Sequence, residues 1–237
     1  MSTRIFGAFS AYLLSFAFSP NLFAAVATAN VMFDWTTFEA SATGDLEAII
    51  AAPMGDDGSV LAQGGTFESD LTASFGGLDL TSTGPSSSAS LVTTADSIDA
   101  SANTTFGYGT ATFERFFSYE ALSGSGILTL SVDVVVQAEV QGAGTFADSE
   151  ALFGYEVGDS GVIASLAGLE MSGDSGDQSQ ILPTTLSFSV FMQQGDVIDM
   201  FAEGGAEVSA IPIPAAAWLF GSGLLGLAGI GRYKKAA

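Results

Sequence analysis

The chain contains no cysteine and no histidine, and only five of its 237 residues are lysine or arginine. The missing thiols exclude disulfides and thiol catalysis. The missing imidazoles exclude serine–histidine triads, and the two absences together remove the usual zinc sites. Against five bases stand 26 acids, for a formal charge of −21. Nucleic acid is excluded as a partner, because it demands a basic face. Charged residues are nevertheless only 13% of the chain, too few for a disordered polyelectrolyte. What is abundant is glycine, at 29 residues. The length suits one sizeable domain, and export without disulfides is then no obstacle.

The five bases are Arg4, Arg115, Arg232, Lys234 and Lys235, so four of them sit near a terminus. Every acid lies between Asp34 and Glu207, where 26 acids face Arg115 alone, a balance of −25. Arg4 is followed by the apolar stretch Ile5 to Phe18, by Pro20-Asn21, and then by small residues. Ala25-Val26-Ala27 and Ala27-Thr28-Ala29 both satisfy a small-x-small cleavage rule. This is the order of a secretory signal, residues 1–27. The apolar core is short for a permanent anchor, so removal is expected.

The other terminus runs Ile211-Pro-Ile-Pro-Ala, then an uncharged stretch to Gly231, then Arg232-Tyr-Lys-Lys. As a helix, residues 215–231 rise ~25 Å, at the short end of what spans a bilayer. Arg232, Lys234 and Lys235 form the membrane stop and stay on the cytoplasmic side, as does Arg4. Both ends thus place the acidic middle across the membrane. Glycines at 221, 223, 226, 229 and 231 weaken the helix, and Pro212 and Pro214 keep its entry extended. A plain anchor gains nothing from either feature. A segment to be recognised and cut gains from both.

These residues resemble a PEP-CTERM sorting signal in its Val-Pro-Leu-Pro-Ala variant (VPLPA-CTERM). Ile211, Pro212, Ile213, Pro214 and Ala215 occupy the motif, the span runs over 215–231, and the basic end over 232–235. Trp-Leu-Phe-Gly-Ser-Gly-Leu-Leu-Gly-Leu from Trp218 is similar to the family's span. Isoleucines replace the family's valine and leucine, and no glutamate lies between the prolines. The resemblance covers about 27 residues and implies destination, not activity. It implies export, transient anchoring by the C-terminal helix, and processing by an exosortase of an exopolysaccharide-producing bacterium. Cell-surface or biofilm-matrix residence follows. With a bacterial tag, Asn103-Thr-Thr105 is read as a chance match to a glycosylation sequon.

The middle, residues 28–210, alternates with period two. Leu128, Leu130, Val132, Val134, Val136, Ala138 and Val140 share one face, while Thr129, Ser131, Asp133, Gln137 and Glu139 share the other. Leu182, Leu186, Phe188, Val190 and Met192 repeat the pattern, with Thr185, Ser187 and Ser189 opposite. Further strands are expected over 31–38, 66–75, 105–117, 145–157 and 196–201. Turns are expected at 55–58, 76–77, 84–85, 124–126, 142–144, 173–176 and 204–205. The expected fold is all-β, a single jelly-roll-like β-sandwich, plus an N-terminal signal helix and a C-terminal transmembrane helix. A short helix capped by Asp45 is expected over 45–52. The Ser/Thr/Ala-rich 81–103 reads as a surface loop or weak edge strand.

Candidate sites are sparse. Asp56 and Asp57, and Asp174 and Asp177, offer oxygen ligands to calcium, the one cofactor the sequence raises. Neither cluster matches an EF-hand loop, and each also reads as a solvated turn. Arg115 between Glu114 and Glu120 suggests either a catalytic carboxylate pair or one salt bridge beside Phe113, Phe116 and Phe117 in the core. Phe106, Tyr108, Phe116, Tyr119 and Tyr155 suggest sugar stacking or core packing. No catalytic residue is assigned and no enzyme is expected. The expected function is a structural or adhesive protein of the surface or extracellular matrix, with exosortase, extracellular polysaccharide and, before processing, the membrane as partners. A carbohydrate-binding module is the second reading and a secreted hydrolase the third.

Overall fold

The computed structural model describes residues 25–157 and 160–211. The signal peptide before residue 25, and the sorting motif and span after Ile211, lie outside the described residues. The chain between forms β1 (Val26–Ala42), β2 (Glu47–Ala62), β3 (Glu68–Thr72), β4 (Asp79–Thr83), β5 (Ser87–Thr93) and β6 (Ser97–Thr104). It continues with β7 (Gly107–Ser123), β8 (Ser125–Gln141), β9 (Thr145–Val157), β10 (Ser160–Ser172), a 3-10 turn at Gly173–Ser175, β11 (Gln178–Gln193) and β12 (Val197–Ala210). The first sheet has the order β11-β8-β1-β6-β5-β4 and the second β10-β9-β12-β7-β2-β3, each antiparallel throughout. The described chain is therefore an all-β sandwich. Connections β1–β2, β3–β4, β6–β7, β7–β8, β8–β9, β10–β11 and β11–β12 cross between the sheets.

Alternation decides what enters the core. In β8, Leu128 to Val140 bury every even side chain while the odd ones face out. The core grades along the strands. One cluster is bulky and aromatic, with Phe33, Trp35, Phe113, Phe117, Phe153 and Phe188. A second, of Ala27, Ala29, Ala102, Ala138, Val140, Ala147, Met171, Ala206 and Val208, is built mainly of small side chains. Val26 lies opposite Gln141 and Ala210 opposite Thr145, so the first and last strands begin and end beside the same β8–β9 turn.

The expected helix over 45–52 is corrected: from Glu47 this segment is β2, with Ile49 opposite Glu120 and Ile50 opposite Tyr119. Strand β7 reaches to Ser123 and offers ladder partners that a helix would leave unused, so pairing overrides local preference. Asp45 caps a turn instead, its Oδ1 accepting from Ser125 N at 3.0 Å. Of the two readings of 81–103, the surface loop is corrected, and the edge strand holds only for its start, since β4 is a sheet edge. The segment holds β4, β5 and β6, and β6 lies inside its sheet between β1 and β5. Its inward residues are Ser82, Ser87, Ala89, Leu91, Thr93, Ile98, Ala100 and Ala102, too small and mixed to show a strong apolar face.

Two expected glycine turns are strand interior. A Cβ at Gly58 in β2 would lie 2.0 Å from Leu91 Cδ2 of the facing sheet, and one at Gly204 in β12 would lie 2.5 Å from Glu150 O. These glycines make room. Turn glycines are found at Gly124, Gly142 and Gly144, with φ of 73°, 82° and 78°. At the start of the domain, β1 begins at Val26, and Ala27 is buried between Val140 and Thr104. The strand thus starts ahead of the boundary expected at residue 28.

Candidate functional site

Arg115 points inward from β7 and is fully buried. Its Nε donates to Asp56 Oδ1 at 2.7 Å and its Nη2 to Asp56 Oδ2 at 2.9 Å, a bidentate pair. Nη2 also donates to Thr94 O at 2.6 Å, and Asp56 Oδ2 accepts from Gly76 N at 2.7 Å. The guanidinium lies 4.6 Å from the Phe75 ring centroid and 4.9 Å from that of Trp35. Thr94 belongs to the β5–β6 turn of the other sheet, so Arg115 ties the two layers together. Glu114 and Glu120 point the opposite way, to solvent, and Arg115 does not organise them.

Asp56 is thereby committed to Arg115, and its neighbour Asp57 faces outward, so these two calcium candidates sit on opposite sides of β2. Asp174 Oδ1 accepts from Gly144 N and Asp177 Oδ1 from Gly142 N, both at 2.9 Å. They fasten the β8–β9 turn. No group of three potential metal ligands occurs among the described residues. Of the aromatics, Tyr119 is buried, Tyr155 packs on Phe188 with centroids 5.4 Å apart, and Phe106 and Tyr108 are exposed. They do not form one platform.

The outer face of the second sheet carries the larger share of the acids. Asp57, Glu114 and Glu203 lie in one register row across β2, β7 and β12. Glu207 and Asp148 are opposite each other, as are Asp148 and Glu170, and Asp199 and Glu156. Adjacent strands lie ~4.8 Å apart, so like charges face each other at close range, an arrangement that is locally unfavourable. Partial desolvation on the crowded face, and then Glu203, Asp57 and Glu156, raise the Glu114 carboxyl above its ordinary value. Burial and Glu170 raise Asp148 against a lowering hydrogen bond from the Ser149 backbone. Strand alternation predicts that some acids face outward, but which of them stand opposite one another depends on strand order and register.

The outer face of the first sheet differs. Met32 and Asp34 of β1, Asp133 and Val135 of β8, and Pro183 and Thr185 of β11 line an open groove of about 390 Å³. Asp34 and Asp133 are cross-strand neighbours. Asp34 Oδ1 accepts from Thr36 N at 3.1 Å, and Asp133 Oδ1 from Thr185 Oγ1 at 2.5 Å. Beyond the groove the face is hydroxyl- and amide-rich: Ser90 and Ser101 hydroxyls lie 2.8 Å apart, and Asn30 Nδ2 donates to Asp99 Oδ1 at 2.9 Å. The groove was missed because its parts come from strands far apart in sequence.

Of the sorting motif, only Ile211 is among the described residues. It follows β12 directly, is exposed, and its N–H donates to Gly144 O at 2.9 Å. No family model, no curated protein and no solved structure matches this chain.

Proposed function

We propose that the protein is an exported bacterial surface or extracellular-matrix protein, processed by an exosortase, with a structural or adhesive role beside exopolysaccharide. The observation that carries this reading is the order at the C-terminus: Pro-marked motif, glycine-rich uncharged span, basic end. The close junction between β12 and Ile211 supports it, since the motif follows the folded domain without a spacer. The sandwich is read as jelly-roll-like because so many connections exchange strands between sheets. The signal and the span are read as helices in the membrane before processing.

The test is intact-mass analysis of the protein from its exosortase-bearing host, with cell fractionation. Loss of the segment from about Ala215 onward, in the surface or extracellular fraction, is the expected outcome. A chain still ending at Ala237 in that fraction would overturn the reading.

The groove on the first sheet favours the second reading, a carbohydrate-binding module. Its paired carboxylates and flanking hydroxyls offer acceptors and donors for sugar hydroxyls, with Met32, Val135 and Pro183 as an apolar floor. Glycan-array binding that disappears in Asp133→Ala, with the fold retained, would select this reading.

A further inference from the structure

Strand β11 is one edge of the first sheet; among the described residues it pairs only with β8. Its sixteen residues, Gln178–Gln193, contain no charge. In a chain of net charge −21 this is unusual, because long edges are ordinarily protected by charge. Compare the other edges: β3 carries Glu68 and Asp70, β4 carries Asp79, and both have five residues. Strand β10 carries Glu170 and a register shift between Ile163 and Ser165.

Two observations show which backbone groups of β11 point outward. Pro183 has no N–H, so within a paired strand its nitrogen belongs on the open side. Gln193 N donates to Asp196 Oδ2 at 2.8 Å rather than to β8. Both residues are odd-numbered, and in an antiparallel strand residues of one parity face one side. Among the described residues, Thr185, Ser187, Ser189 and Phe191 therefore present N–H and C=O groups without partners along the edge. Their side chains are exposed, Phe191 at 64%. The nearest acids are accounted for: Asp133 receives Thr185 Oγ1, and Asp196 closes the strand at Gln193.

We propose that β11 is a self-association edge, where a second copy of this chain adds its own β11 antiparallel and continues the sheet. The register that pairs these four residues with one another and avoids Pro183 is centred on Phe188. It places Ser187 opposite the second copy's Ser189, and Thr185 opposite its Phe191, with about eight hydrogen bonds across the pair. Two copies bearing this much negative charge repel over most of their surfaces, so an uncharged strand is where they approach at least electrostatic cost. Association strengthens as sodium chloride screens that repulsion. The inference is independent of the sorting signal and of any polysaccharide.

The test uses the full chain in non-ionic detergent, by sedimentation with the detergent contribution matched out. The wild type is expected to form a dimer that tightens with salt. Ser187→Lys combined with Ser189→Lys should give monomer with unchanged far-ultraviolet circular dichroism. The absence of native cysteine allows a second readout. A mixture of Ser187→Cys and Ser189→Cys chains should form a crosslinked dimer on oxidation, and Ser88→Cys, exposed on β5, should not. A wild type monomeric up to its solubility limit, a dimer that survives both lysines, or equal crosslinking at Ser88 would overturn the proposal.

Discussion

Arg115 illustrates how much one residue depends on its partners. Removing it leaves Asp56 buried beside Gly76 N with its charge uncompensated. Arg115→Ala should cost about 3–5 kcal/mol in urea unfolding, the usual penalty for orphaning a buried ion. Replacing both partners, Arg115→Met with Asp56→Leu, should recover much of that loss. A double variant as unstable as the single one would show that the contacts to Thr94 and the rings matter more than the charge pair. Glu114 gives a second residue-scale expectation, with a definite sign. Its carboxyl holds its proton more tightly in the fold than in the unfolded chain. That difference disfavours the fold once pH rises through the raised value, and vanishes as pH falls to the ordinary carboxylate range. Wild type should therefore lose stability more steeply than Glu114→Gln as pH rises from the ordinary carboxylate range through the raised value. Identical slopes in the two proteins would refute it.

At the scale of the strand, legibility followed hydrophobic contrast. Strand β8 was plain because Leu and Val alternate with Asp, Gln and Glu, and the structure buries the even side chains. Val134 is buried and Val135 lies on the outer face at the groove. Val134→Asp should cost several kcal/mol and Val135→Asp much less, read from denaturant midpoints. Strands β4, β5 and β6 were hidden because their inward residues are Ser, Ala and Thr between a few Leu and Ile. That choice fits a narrow space: Ala100 and Ala102 are buried in β6, and Ala100→Leu should cost about 1–3 kcal/mol by overpacking. The glycines at 58 and 204 were misread as turns because a glycine that admits a facing side chain looks, in sequence, like one that reverses the chain. The Arg115–Asp56 pair was half legible. A lone base among acids announces a salt bridge, but only the β2–β7 register selects its partner.

At the scale of the whole molecule the charge is unevenly shared: the outer face of the second sheet bears rows of opposed acids, while on the first Asp34, Asp79, Asp99, Asp133 and Glu139 are spread among hydroxyls and amides. If the acidic face meets acidic polysaccharide, divalent cations should promote co-sedimentation beyond what sodium achieves at matched ionic strength, since sodium screens but does not bridge. Equal effects of calcium and sodium would leave screening as the whole explanation. Finally, both ends of the domain leave from one pole, Val26 beside Gln141 and Ala210 beside Thr145. This has a mechanical consequence. A pull that separates the two ends loads β1 and β12 at that pole alone. The ladder bonds there would break in succession, as a zipper opens, rather than together in shear. A protein held by one end carries no such load across its fold. Loss of either terminal tether therefore converts a domain that tension would peel apart into one that tension does not stretch.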